Sequence, residues 1–204
     1  MIVQAARAGQ QGANIKSLLD AIQKLSQTSS KRHLLTVAGI TSKRRMYTKK
    51  ELLGYSMHQM YEVVSDVSNY YKFVPYVTQS KVHSQKEDQF KADLIVGFPP
   101  LKQKYTSLVT LEKPFRVQSV SKDAQLFDHL YNDWRFSPGL KDIPDSCVLD
   151  FHVSFEFKSL LYSKISNLFF ELLCDKMEHA FILEAKRRFG GPSIRSHVLS
   201  SVKS

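Results

Sequence analysis

The chain has 204 residues, 43% of them hydrophobic and 11% aromatic, which suits one domain with a full core plus an extension. Its formal net charge is +10, but residues 1–50 hold ten basic side chains against one acid, Asp20, while residues 51–190 hold seventeen basic and eighteen acidic, a net of −1. That balance in the folded part argues against nucleic acid, whose binding rests on clustered cations; nor is there an uncharged apolar run of about eighteen residues to cross a membrane.

Residues 1–43 are nearly free of acids, contain Arg, Lys and five serines, and space Ile15, Leu18, Leu19, Ile22 and Leu25 along one helical face. This is the signature of a mitochondrial presequence, and it sets the first boundary: 1–43 leader, 44–190 folded domain, 191–204 flexible polar tail. Arg45 to Tyr55 reads as a strand. Ser56 then opens a helix, with Gln59 three residues on completing a capping-box pattern and Met57, Met60, Tyr61 and Val64 forming its apolar side. Ser68 to Phe73 gives a second short helix, stopped by Pro75.

Strand signals follow at Tyr76–His83 and, after a turn at Gln85–Asp88, at Phe90–Phe98, where Phe90, Ala92, Leu94, Val96 and Phe98 alternate. Gly97-Phe98-Pro99-Pro100 breaks the chain, and strands resume at Lys104–Glu112, Phe115–Lys122 and Phe127–Phe136. Ser137–Asp145 is a loop. From Cys147 the apolar residues Cys147, Leu149, Phe151, Val153, Phe155 and Phe157 take every second position, so one face is buried and one is wet. The period then changes. Leu161, Ile165, Leu168, Phe169, Leu172, Leu173, Met177, Phe181 and Ala185 follow helical spacing, with Lys164, Asn167, Glu171, Asp175, Glu178 and Lys186 opposite. A helix from about Ser159 to Arg188 would run roughly 45 Å. The fold class is therefore α+β: a curved antiparallel sheet wrapped around a long C-terminal helix, with two short helices after the first strand.

Catalytic patterns are missing. There is no HExxH, glycine-rich phosphate loop, GxSxG or CxxC, and the seven histidines are scattered without metal-ligand spacing. His152 falls on the wet face of the last strand. The Asp128–His129 and Glu178–His179 pairs read as surface or cap residues, and Cys174 falls among polar positions of the helix. The expectation is a binding module, with no catalytic residue, no catalytic cofactor and no metal. The positive signal is a convergence of large apolar groups where the sheet mouth meets the helix. The candidate lining residues are Leu53, Phe73, Pro75, Tyr76, Phe98, Tyr105, Leu130, Trp134, Phe136, Phe169, Leu173 and Met177. Among them Tyr76, Tyr105 and Trp134 bring hydroxyl or indole donors, suited to the carbonyl oxygens of an otherwise apolar ligand.

The run Leu53-Gly-Tyr-Ser-Met-His-Gln-Met-Tyr-Glu-Val-Val-Ser-Asp-Val-Ser-Asn-Tyr-Tyr-Lys-Phe-Val-Pro-Tyr76 resembles the opening of the mitochondrial coenzyme Q-binding START-domain proteins. So do Gly97-Phe98-Pro99-Pro100, Tyr105-Thr106-Ser107, Lys113-Pro114, Cys147, and Phe127-x-x-Leu130-x-x-x-Trp134-Arg135-Phe136-Ser137-Pro138-Gly139. The likeness covers about residues 45–190; it departs at Tyr76-Val77, where family members often have Trp-Cys. The resemblance implies a helix-grip (START-like) fold with a hydrophobic tunnel for ubiquinone, attachment to the matrix face of the mitochondrial inner membrane, and a role in quinone function in respiration, with quinone-synthesis or respiratory complexes as partners. Two alternatives from the same fold class are a cyclase- or dehydratase-like enzyme acting on a quinone precursor and a ribosome-binding regulator.

Overall fold

The computed structural model describes residues 44–84, 86–98, 101–121, 127–158 and 160–204, with side chains for all of these except 98, 101, 157, 160–173 and 175. The leader 1–43 and the Pro99-Pro100 break lie outside the described residues. Among the described residues eight strands form one antiparallel sheet: β1 (Arg44–Leu53), β2 (Val77–His83), β3 (Gln89–Phe98), β4 (Leu101–Glu112), β5 (Arg116–Ser121), β6 (Phe127–Pro138), β7 (Cys147–Phe157) and β8 (His197–Lys203). Their spatial order is β2-β3-β4-β5-β6-β7-β1-β8. From β2 to β7 each strand pairs with the next in sequence, and β1 closes onto β7 from Arg44 opposite Glu156 to Leu53 opposite Cys147.

Two helices, α1 (Met57–Ser65) and α2 (Tyr70–Phe73), joined by a 3₁₀ turn at Val67–Asn69, follow β1. The capping box is formed: the Gln59 amide donates to Ser56 Oγ at 3.3 Å and the Ser56 amide to Gln59 Oε1 at 2.8 Å. Both satisfy N–H groups that the first helical turn leaves without partners. The buried side of α1 is Met60, Tyr61, Val63 and Val64. The long helix α3 (Leu160–Phe189) lies against the inner face of the sheet and against α1 and α2.

The period-two reading of β7 holds: Cys147, Leu149, Phe151 and Val153 are buried, as are Phe90, Ala92 and Leu94 on β3 and Leu130, Trp134 and Phe136 on β6. Three expectations need correcting. The tail, read as flexible, is the eighth strand: residues 197–203 pair with β1, and Ser204 and Met46 exchange backbone hydrogen bonds of 2.9 Å in both directions. Its side chains are exposed throughout, so no apolar pattern betrays it; the backbone ladder along β1 holds it. The close approach begins at Gly54, whose carbonyl accepts from the Ser193 amide at 2.9 Å. A Cβ at Gly54 would lie 2.3 Å from the Ile194 carbonyl oxygen, so only glycine fits there.

The second and third corrections concern the rotation of α3. The face turned inward carries Cys174, Glu178, Phe181 and Ala185, all buried, whereas Met177 is 39% exposed. The apolar-stripe reading advanced by four residues at a time, through Leu173, Met177 and Phe181. At 3.6 residues per turn the inward line instead passes through positions 174, 178, 181 and 185. Cys174 and Glu178, read as outward, are therefore core residues, and Met177 is not.

Candidate functional site

The interior between sheet and helix is lined by aromatic rings in mutual contact. Tyr47 on β1 meets Phe151 on β7 edge-on at 5.9 Å. Phe151 lies 4.2 Å from Trp134 on β6, and Trp134 lies 4.7 Å from Phe181 on α3. Phe181 in turn receives Tyr70 at 5.2 Å and Phe73 at 5.4 Å, both edge-on. The strand alternation explains how β1, β7 and β6 each deliver a ring to one surface: Tyr47, Phe151 and Trp134 occupy inward positions of neighbouring strands. A second set joins Tyr105 to Phe127 at 5.5 Å and Phe127 to Phe155 at 6.4 Å.

Of the twelve residues singled out from the sequence, Leu53, Leu130, Trp134 and Phe136 are buried. Phe73 and Tyr105 are half-buried and pack against the core, and burial pushes the Tyr105 hydroxyl pKa upward. Phe73 and Trp134 are brought together by Phe181, whereas Tyr105 belongs to the second aromatic set. Pro75 and Tyr76 are half-buried in the turn entering β2. Tyr76 adopts φ 66°, a left-handed backbone, and its carbonyl accepts from the Gly97 amide at 3.0 Å. That bond ties the α2–β2 turn to the β3–β4 hairpin, where Phe98 stands in register with Leu101. The side chains of Phe98, Phe169 and Leu173 lie outside those described, and Met177 is exposed.

What the sequence reading missed is a charged cluster inside the core. The inward positions of β1 are Tyr47, Lys49, Glu51 and Leu53, and the middle pair points at Glu178 of α3. Lys49 Nζ lies 2.7 Å from Glu51 Oε2 and 2.9 Å from Glu178 Oε1, and the Tyr47 hydroxyl donates to Glu178 Oε2 at 3.2 Å. Glu51 is 4% and Glu178 2% exposed. Burial first, and the neighbouring Glu51 carboxyl next, push Glu178 up to about 7 against the pull of Lys49. Burial also works to raise Glu51, but hydrogen bonding to Glu178 and Lys49 outweighs it and holds Glu51 below the usual carboxylate range. The two carboxyls are thus pushed in opposite directions, Glu178 up and Glu51 down. A signal was present in the sequence: Lys49 and Glu51 fall on the same strand parity as the apolar Tyr47 and Leu53.

Cys147 is buried and its thiol is pushed up to about 12, so it is not a ready nucleophile. Among the described residues no group of three His, Cys, Asp or Glu could hold a metal ion, and no helix is long and apolar enough to cross a membrane.

Comparison with known proteins places this interior in context. The family model for polyketide cyclase/dehydrase and lipid transport proteins matches residues 53–182. The mitochondrial coenzyme Q-binding protein COQ10 of Drosophila melanogaster is 62% identical over 182 residues, covering 89% of this chain and 75% of that protein. The mitochondrial COQ10 homolog B of Xenopus laevis is 47% identical over 149 residues, covering 73% of this chain and 61% of that protein. Among solved structures, the Zhui aromatase/cyclase from Streptomyces superposes with a TM-score of 0.61 at 16% identity, covering 71% of this chain and 95% of that one. At that identity it speaks to the fold alone, the helix-grip arrangement of a curved sheet around the C-terminal helix.

Proposed function

The chain belongs to the polyketide cyclase/dehydrase and lipid transport family and, within it, to the mitochondrial COQ10 group, and from that premise we propose that it binds ubiquinone between its sheet and α3 and carries it as a lipid chaperone. The observation that carries this reading is the aromatic surface of Phe151, Trp134 and Phe181 beneath the sheet, a shape and chemistry suited to a flat ring on an apolar tail. A polyprenyl tail of about thirty carbons would cost roughly 20 kcal/mol to expose to water, at about 0.8 kcal/mol per methylene. Free diffusion through water is therefore closed to such a molecule, and a protein that hides part of the tail opens that route.

The mechanism is passive. The tail lies among the apolar side chains, the ring meets polar groups, and the ligand leaves when the mouth touches a bilayer. The site is the matrix side of the mitochondrial inner membrane, which the chain reaches by its leader 1–43 and touches peripherally. The recipients are respiratory or quinone-synthesis complexes, so the protein serves both respiration and efficient quinone synthesis. It is a carrier rather than an enzyme, with ubiquinone as ligand and no catalytic cofactor.

The test is organic extraction of the purified chain, with quinone detected by chromatography and mass spectrometry. The expected result is near-stoichiometric ubiquinone, falling severalfold in a Trp134→Leu variant that keeps its circular dichroism. A well-folded protein that is empty, and stays empty after incubation with ubiquinone, would instead favour a cyclase-like enzyme working through the buried Glu178 carboxyl.

A further inference from the structure

The charged cluster of β1 and α3 does nothing for an apolar tail. Nor does stability call for it, because a buried ion group replaced as a whole by apolar side chains of similar volume is often no loss. Its two carboxyls are almost wholly buried and share one cation, Lys49 Nζ lying 2.7 Å from Glu51 Oε2 and 2.9 Å from Glu178 Oε1. The cluster also abuts the aromatic surface. The Tyr47 ring, whose hydroxyl reaches Glu178, meets Phe151 edge-on. Phe181 lies three residues beyond Glu178, on the same side of the helix, and packs on Trp134. Flat apolar faces thus run directly into a set of hydrogen-bonding groups that includes both donors and acceptors.

We propose that Tyr47, Lys49, Glu51 and Glu178 form the head-group end of the ligand site, and that they distinguish a benzoquinone ring from its hydroquinone by the hydrogen bonds of the ring oxygens. This rests on the quinone-binding reading above. The carbonyl oxygens of a quinone only accept, so they call for the Lys49 ammonium, the Tyr47 hydroxyl or a protonated carboxyl. The hydroxyls of a hydroquinone also donate, and a buried carboxylate is the strongest acceptor available to them. No electron moves in either case; the step is recognition alone.

The protonation of Glu178 then sets the preference. With the proton in place Glu178 donates and the quinone is favoured; without it Glu178 accepts and the hydroquinone is favoured. Among the described residues, the groups facing Glu178 are Tyr47, Lys49 and Glu51 of β1. Behind them stand the Ser196 hydroxyl on Glu51 and Lys203 over the Tyr47 ring. Phe151 of β7, in contact with that ring, adds no charge. On α3 itself His179 is exposed and Lys176 only half-buried, while Cys174 is buried one turn before.

The experiment titrates the full chain anaerobically with a decyl-tailed benzoquinone and with its hydroquinone, at about pH 6 and about pH 8.5, on either side of the Glu178 transition. The expected result is a shift of the affinity ratio toward the hydroquinone by about tenfold as pH rises, the worth of one hydrogen bond to a charged group. In Glu178→Gln, whose amide cannot titrate, the ratio stays constant between the two pH values. If that variant fails to fold, Tyr47→Phe should cost the quinone severalfold more affinity than the hydroquinone at the lower pH. An equal ratio at both pH values in the unsubstituted protein, or the same shift in Glu178→Gln, would overturn the assignment. Binding of neither form at either pH would overturn the quinone reading itself, and this one with it.

Discussion

Lys49 is the residue on which the core charge balance turns. It is one ammonium between two carboxyls that are almost wholly buried, and it keeps at least one of them ionised. Replacing it by methionine keeps an unbranched stem of nearly the same length and removes its charge. Glu51 and Glu178 would then both resist ionisation, and Lys49→Met should cost about 3–5 kcal/mol at pH 8, the range for breaking a buried pair. The sign with pH follows from the direction of each shift. Glu178 has a raised pKa, so its contribution is fully present below the ordinary carboxylate value of 4.5 and is lost as pH rises through about 7. Glu51 has a lowered pKa, so its contribution is present above 4.5 and is lost as pH falls. Without Lys49 the second behaviour turns into the first. Urea denaturation of Lys49→Met at about pH 5 and about pH 8 should show a markedly smaller loss at the lower value, because protonated carboxyls need no counter-ion. An equal loss at both would place the lysine's contribution in packing instead.

At the level of elements, the chain speaks plainly wherever one face of a strand or helix is buried. Seven strands, both short helices and the long one are legible from period and punctuation, and the Ser56–Gln59 capping box from two residues. β8 is not legible, because its seven residues are all exposed and its stability resides in backbone pairing that side-chain pattern cannot report. The rotation of α3 was misread for a related reason. An apolar count places Glu178 outside, and only the three-dimensional meeting with Lys49, 129 positions earlier in the chain, makes its inside position tolerable. The aromatic half of the site was legible through Trp134 and Phe73; its polar half was not, since Lys49, Glu51 and Glu178 carry no motif. The β8 finding is testable at Gly54. A methyl group there collides with the Ile194 backbone, so Gly54→Ala should detach the segment that follows and cost about 2 kcal/mol. Hydrogen exchange would read it: amides of residues 197–203 should lose protection while those of β6 and β7 keep theirs. Undiminished protection would mean that the chain finds another path past Gly54.

For the whole molecule, the proposed membrane contact is best sought at the end where the α2–β2 turn meets the β3–β4 hairpin. The Gly97–Tyr76 bond brings the α2–β2 turn beside the β3–β4 hairpin. Tyr71 and Lys72 near the first, and Lys102 and Lys104 near the second, are exposed, and Phe98 and Leu101 are backbone partners where β3 meets β4. Apolar residues flanked by lysines suit an anionic lipid surface. Substituting Phe98 and Leu101 together by aspartate should lower binding to cardiolipin-containing liposomes by at least about tenfold, given the worth of two buried apolar side chains. Sedimentation measures it, with circular dichroism confirming the fold, and unchanged binding would rule this end out.

The seam at β1 has a consequence for how the protein comes into being. β1 is the first strand of the sheet, yet its two neighbours are β7 and β8, the last two. On a ribosome, strands β2 to β7 can zip together one after another as each emerges, while β1 waits for nearly the whole domain to be synthesised. Pairings of such long range raise the contact order and slow folding. The chain therefore emerges with its first strand unmatched, a bare edge that invites association with other chains until synthesis is almost complete. That delay also leaves the nascent protein open to unfolded handling, such as threading through a translocation pore, until its last strands are made.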